Sequence, residues 1–188
     1  PLEQPAAYAE AANARAAVLH LHLRDHAGAE GDCRRVVELG KACPQPAYLA
    51  AVDRLAAVLT DGGKTNEAAD ALLLAYAYPL PPPAGTARKL IDAGASKSVL
   101  EEAVTSLRRR LAGASANAAE LQASLDKIQP ELIELVLGLG RPEEAVKECR
   151  VFALGASDRA YPQAIELGAR CLKTLDGHLG RANALLDF

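Results

Sequence analysis

Apolar residues along this chain recur mostly at helical spacing, and short polar stretches carrying glycine interrupt them. The pattern predicts ten helices, near residues 5–27, 30–41, 46–61, 65–77, 85–93, 97–112, 117–138, 142–154, 160–176 and 179–187. Gly28, Gly63, Gly94, Gly140 and Gly177 each follow an Ala/Leu-rich segment, at intervals of about 35, 31, 46 and 37 residues. Five positions after each glycine stands a small or modest apolar residue: Cys33, Ala68, Val99, Ala145 and Ala182. A turn glycine supplies left-handed backbone that ends one helix, and the small residue lets the next helix approach closely. Pro142, Glu67, Glu143 and Glu144 suit the first turns of the second helices. The unit is a helical hairpin of about 35 residues that buries one face against its neighbour.

Three stretches depart from this regularity. Leu19-His20-Leu21-His22-Leu23 alternates as a strand does, but it lies within Ala-rich helix without turn signals. It is expected to be helical, with contacts on two sides. Pro79-Leu80-Pro81-Pro82-Pro83 interrupts the helical pattern and reads as a stiff, extended link. Residues 117–138 are long for one repeat helix, and Pro130 should kink or divide them. Asn117 with Glu120 has the form of a capping box at the start of that segment.

Composition narrows the fold class to all-α. Of 188 residues, 40 are Ala and 29 are Leu, while aromatics make up 4%. β-branched and aromatic residues are too scarce for a sandwich, barrel or large sheet. Mean hydropathy is +0.01 and no apolar run is long enough to span a membrane. The net charge of −3 leaves no basic footprint for nucleic acid. Arg108-Arg109-Arg110 is the one basic run, and it reads as a solvated helix end. The chain begins Pro1-Leu2-Glu3 with no initiator methionine, as a trimmed or processed product would. No signal or transit segment is visible; the compartment and the oligomeric state stay open.

Two copies of the hairpin unit are clear. One reads Leu55-Ala56-Ala57-Val58-Leu59, then Gly63-Lys64-Thr65-Asn66-Glu67-Ala68. The other reads Leu132-Ile133-Glu134-Leu135-Val136, then Gly140-Arg141-Pro142-Glu143-Glu144-Ala145. This pattern resembles the tetratricopeptide repeat, a two-helix unit that stacks into an α-α superhelix. The resemblance implies a single repeat domain over 1–188, with hairpins near 5–43, 46–79, 84–112, 117–154 and 158–188. The family's tryptophan is missing, and His20 and Arg24 stand where it prefers large apolar residues.

The resemblance further implies a groove lined by the first helix of each hairpin. Groove positions fall on Arg15, Val18, His22, Asp25 and His26 in the first copy. They fall on Ala50, Asp53, Ala57, Thr60 and Asp61 in the second, and on Lys127, Glu134 and Leu137 in the fourth. Chaperone-tail binders of the family clamp a terminal carboxylate with Lys and Asn. Here those places hold Val18 and His22, and the next copy offers Asp53, so a neutral or basic protein or peptide segment is the expected partner. Arg15, His22, Asp25, His26, Asp53, Thr60, Asp61 and Glu134 are the candidate specificity residues. The expected role is a non-catalytic scaffold or adaptor. The alternative is a regulatory region of a larger enzyme or transcription regulator, with an effector bound near Pro79–Pro83 or Pro130.

Catalytic motifs are absent. No GxSxG, dinucleotide or phosphate-loop fingerprint occurs, and Gly62-Gly63-Lys64-Thr65 joins two helices without the earlier glycine. Cys33, Cys43, Cys149 and Cys171 form no CxxC pair and read as small buried residues, a disulfide being the lesser alternative. His178 reads as a helix-terminus residue. His22 and His26 share a helix face at i, i+4 spacing, and Asp25, Asp53 or Asp61 could join them around a metal. Residues 22–26 are not HExxH, and ordinary polar groove residues account for the pattern, so no metal or cofactor is expected.

Overall fold

The structure, a computed structural model, describes residues 4–78, 81–114 and 118–175, the side chains of 114 and 118–121 excepted. Among these residues there are nine α-helices and no strand. They are α1 (Pro5–Val18), α2 (His26–Glu38), α3 (Gln45–Asp61), α4 (Thr65–Ala77), α5 (Thr86–Asp92), α6 (Lys97–Ala114), α7 (Ala118–Gly138), α8 (Pro142–Gly155) and α9 (Tyr161–Thr174). A tenth helix over 179–187, Gly177, His178, Ala182, the box at Asn117 and Glu120, and Pro79 and Leu80 lie outside the described residues or side chains.

The helices group into two compact units. One holds the described residues of Pro1–Pro83 with Asp92–Ala95, the other those of Ala84–Ile91 with Ser96–Phe188. In the first, α1 packs on α2, α2 on α3 and α3 on α4, and α1 also touches α3. In the second, α6, α7, α8 and α9 pack in succession, and α7 also touches α9. Contact of each helix with its successor and of first helices with one another is the arrangement of stacked hairpins.

Two turns close as the repeat pattern requires. Gly63 and Gly140 adopt φ of 73° and 72°, where a Cβ would be strained. The amides that follow, of Lys64 and Arg141, bond back to the carbonyls of Leu59 and Val136 at 2.8 and 3.2 Å, which closes a Schellman motif. Ala68 and Ala145 are fully buried just beyond, so α4 and α8 cross their partners closely. Ala29, the fourth residue of α2 as Ala68 and Ala145 are of α4 and α8, is equally buried, and so is Cys33 one helical turn on.

The first turn departs from expectation. Helix α1 does not run to residue 27: it ends in a π-helical turn, Leu19–Leu23, and Arg24 takes the left-handed conformation with φ of 55°. Gly28 is therefore no turn glycine. It lies inside α2, where its N–H donates to the Asp25 carboxylate at 3.0 Å. A Cβ on Gly28 would collide with that carboxylate, so glycine serves the cap rather than the turn. The alternating stretch is helical as expected, but only His20 is buried; Leu21 and Leu23 are 56% and 65% exposed.

Pro130 does not divide α7, which runs unbroken from Ala118 to Gly138. The next residue, Glu131, is buried and accepts from the backbone N–H groups of Gly85 and Ala87 at 2.5 and 2.6 Å. A side chain from α7 thereby caps the start of α5, pairing donors that no carbonyl of that helix can reach. The basic run is solvated at Arg108 and Arg109, but it lies within α6 rather than at its end. Arg108 sits inside α6 and pairs with Glu144 and Glu148 of α8. The cysteines are all buried and free, and the Sγ atoms of Cys149 and Cys171 lie 3.4 Å apart.

Ion pairs tie successive hairpins at the repeat interval. Arg34 to Glu67, Lys64 to Glu30, Arg108 to Glu144, Arg170 to Glu134 and Arg141 to Glu101 span 33 to 40 residues. These are half-exposed pairs, each contributing on the order of 0.5 kcal/mol, so they set register more than stability.

Candidate functional site

Three elements meet at one end of the first unit: the π-helical turn after α1, the start of α2 and the end of α3. The buried positions of α1 are Ala9, Ala12 and Ala16, and His20 continues that stripe one helical turn on. A buried imidazole needs a hydrogen-bond partner. It finds Asp61, the last residue of α3, with His20 Nε2 2.8 Å from Asp61 Oδ2. That bond holds the Asp61 carboxyl below its usual range, with smaller help from the charges of His26 and Arg24. His26 opens α2 and stands edge-on to His20, ring centroids 5.5 Å apart. Its Nδ1 is buried and has no hydrogen-bond partner.

The sequence pairs His22 with His26; the structure pairs His20 with His26. His22 is exposed on the π-helical turn, and the left-handed Arg24 places it on a different helix from His26. The i, i+4 argument presumes one continuous helix, and that is what fails here. Asp61 is the carboxylate that completes the group. Asp25 is committed to capping α2, and Asp53 lies two turns of α3 away from Asp61.

The remaining groove candidates divide by environment. Ala50, Asp53, Ala57 and Thr60 form an exposed stripe along α3, and Thr60 bonds back to the Ala56 carbonyl at 2.8 Å. Arg15 is largely exposed yet clasps the buried Asp32, its Nε 2.6 Å from Oδ2, and this pairing holds Asp32 well below the usual carboxylate range. Glu134 is nearly buried and held by both guanidinium nitrogens of Arg170, one at 3.0 Å. Lys127 is exposed, and Val18 is half exposed.

One surface escaped sequence reasoning. An open depression of about 310 Å³ lies over α2, α3 and α4. Val37, Leu55, Ala71 and Leu74 form its apolar lining, and Glu38, Glu67 and Asp70 add acidic groups beside Arg34. Arg34 is already spent on Glu30 and Glu67. Glu38 and Asp70, both exposed, make no ion pair among the described residues, so the rim is net acidic.

No family model matches this chain, and no curated protein matches it. Its fold nevertheless has solved counterparts. Two crystal structures of a Podosopora anserina protein described as a kinesin light chain with nearly identical TPR-like repeats, one of them a point variant, superimpose on it. The variant aligns with a TM-score of 0.53 and 19% identity, covering 100% of this chain and 95% of its own. The other gives 0.52 and 19%, covering 98% and 94%. The fold is TPR-like: an all-α repeat of helical hairpins.

Proposed function

We propose that this chain is a non-catalytic scaffold that binds a protein or peptide segment of neutral or basic character. A TPR-like repeat fold supports the general role, since such stacks expose long helical surfaces to partners. The acid-rimmed apolar depression over α2, α3 and α4 is the observation that carries the reading. Its lining accepts an apolar side chain, and Glu38 and Asp70 favour a Lys or Arg beside it. The exposed stripe of Ala50, Asp53, Ala57 and Thr60 lies on the face of α3 turned away from Leu55 and offers a second candidate surface within the first unit. No helix among the described residues is long and apolar enough to cross a membrane.

The test is fluorescence polarisation of the chain against synthetic peptides matched in apolar content and graded in charge. Neutral and basic peptides should bind, and affinity for basic ones should fall roughly 10-fold in Asp70→Lys combined with Glu38→Lys, which preserves the lining. Preferential binding of acidic peptides, or no binding across the series, overturns the proposal.

A further inference from the structure

His20, His26 and Asp61 each offer a ligand atom, and these atoms all lie within 4.8 Å of one another. The geometry points to a binding site for a divalent first-row transition ion, held by the imidazoles of His20 and His26 and the carboxylate of Asp61. Two imidazoles with one carboxylate form a donor set that suits Zn²⁺, Co²⁺ or Ni²⁺, whereas Ca²⁺ and Mg²⁺ prefer all-oxygen surroundings.

Three features support it. First, the group is pre-assembled: His20 is 5% exposed and fixed by packing, so one ligand is oriented before any ion arrives. Second, the buried Nδ1 of His26 has no partner, an expense that a ring fixed for structural reasons alone would ordinarily avoid. Third, the Asp61 side chain is 49% exposed, so an ion can enter from solvent and keep a position for water.

The required movement is small. Tetrahedral zinc places N and O ligand atoms about 3.3 Å apart. The His20–Asp61 contact of 2.8 Å must therefore open by roughly 0.5 Å, and the longest separation in the group must close by at most about 1.5 Å. Asp61 ends α3 and has the freedom to make that adjustment. Arg24 also acts on Asp61, and its exposed guanidinium weakens the attraction for a dication without blocking it. Bound there, the ion would tie together the π-helical turn, α2 and α3, adding to the His20–Asp61 bond that now reaches α3.

Titration of the full chain with Co²⁺, followed by its visible d–d bands and by competition with Zn²⁺, tests the site. One equivalent should bind and raise Tm. Affinity should fall at least about 10-fold in His26→Ala and in Asp61→Asn, and stay unchanged in His22→Ala. Asp61→Asn keeps the side-chain size at a half-exposed position, so it remains decisive should His26→Ala unfold, as circular dichroism will report. Absence of saturable binding overturns the site. So does binding that survives Asp61→Asn, or binding that His22→Ala abolishes.

Discussion

The first unit contains two helical hairpins whose turns solve one problem in different ways. Between α3 and α4, Gly63 turns left-handed, Lys64 closes back on Leu59, and apolar Val58 and Leu59 remain buried up to the turn. Between α1 and α2, the chain unwinds into a π-helical turn, Arg24 takes the left-handed place and Asp25 caps the next helix. The consequence is an inversion. At the glycine turn apolar residues are in and polar ones out; at the arginine turn His20 is in, while Leu21 and Leu23 are out. A repeat that closes regularly is a structural joint. One that closes through a wider π-helical turn re-aims its side chains, and here it gathers His20, His26 and Asp61.

The sharpest contrast is in leucines. Leu59 is 1% exposed and Leu21 is 56% exposed, though both stand near the ends of first helices. Leu59→Ala should cost about 2–5 kcal/mol by urea denaturation, and Leu21→Ala less than about 0.5. Equal losses would place Leu21 in the core and erase the distinction. The turns themselves come next. Gly63→Val should cost about 1–2 kcal/mol, because its left-handed backbone penalises a branched Cβ. Arg24→Gly should be nearly neutral, since relief of the same strain offsets the added freedom of the unfolded chain.

The cap is a smaller lever. Asp25→Ala should lose about 1 kcal/mol through the Gly28 amide it leaves unbonded. No equivalent capping effect is expected at Lys64, which stands at the N-cap of α4 and makes no side-chain cap. Acid should then discriminate between carboxylates. Asp32, buried against Arg15, has a lowered pKa, so its contribution is complete above the ordinary aspartate value of 3.8 and disappears as pH falls through the lower folded value. Stability of the chain should decline below about pH 4, and Asp32→Asn should flatten that decline, as read from urea midpoints between about pH 2 and 5 at roughly one-unit steps. The smallest signal is chemical. Burial pushes the Cys33 thiol up to about 11, so iodoacetamide should leave it unmodified in the folded chain at neutral pH and label it fully in denaturant.

The architecture was legible because it rests on repeated local chemistry. Turn glycines, small residues five places on and Ala/Leu faces specify hairpins wherever they occur, and Gly63, Gly94 and Gly140 all carry positive φ. The site was half legible. The repeat frame marks His20 as standing in a place the family gives to a large apolar residue, and the structure buries it there beyond Ala16. What it bonds to could not be read, since Asp61 is 41 residues away and no local pattern links them. The i, i+4 spacing that pairs His22 with His26 assumes continuous helix, and nothing in Leu19–Leu23 announces a π-helical turn. Likewise the Glu131 cap on α5 and the Arg170–Glu134 pair join residues 36 or more apart, beyond the reach of any windowed pattern.

The central claim is that the first turn puts His20 inside and His22 outside. Residue-resolved modification by diethylpyrocarbonate, quantified by mass spectrometry on the native chain, reads this directly. His22 should react at the rate of an exposed imidazole. His20 should react at least about tenfold more slowly, because it must wait for local opening. If His20 reacts as fast as His22, or faster, the π-helical turn does not bury it and the account of this site fails.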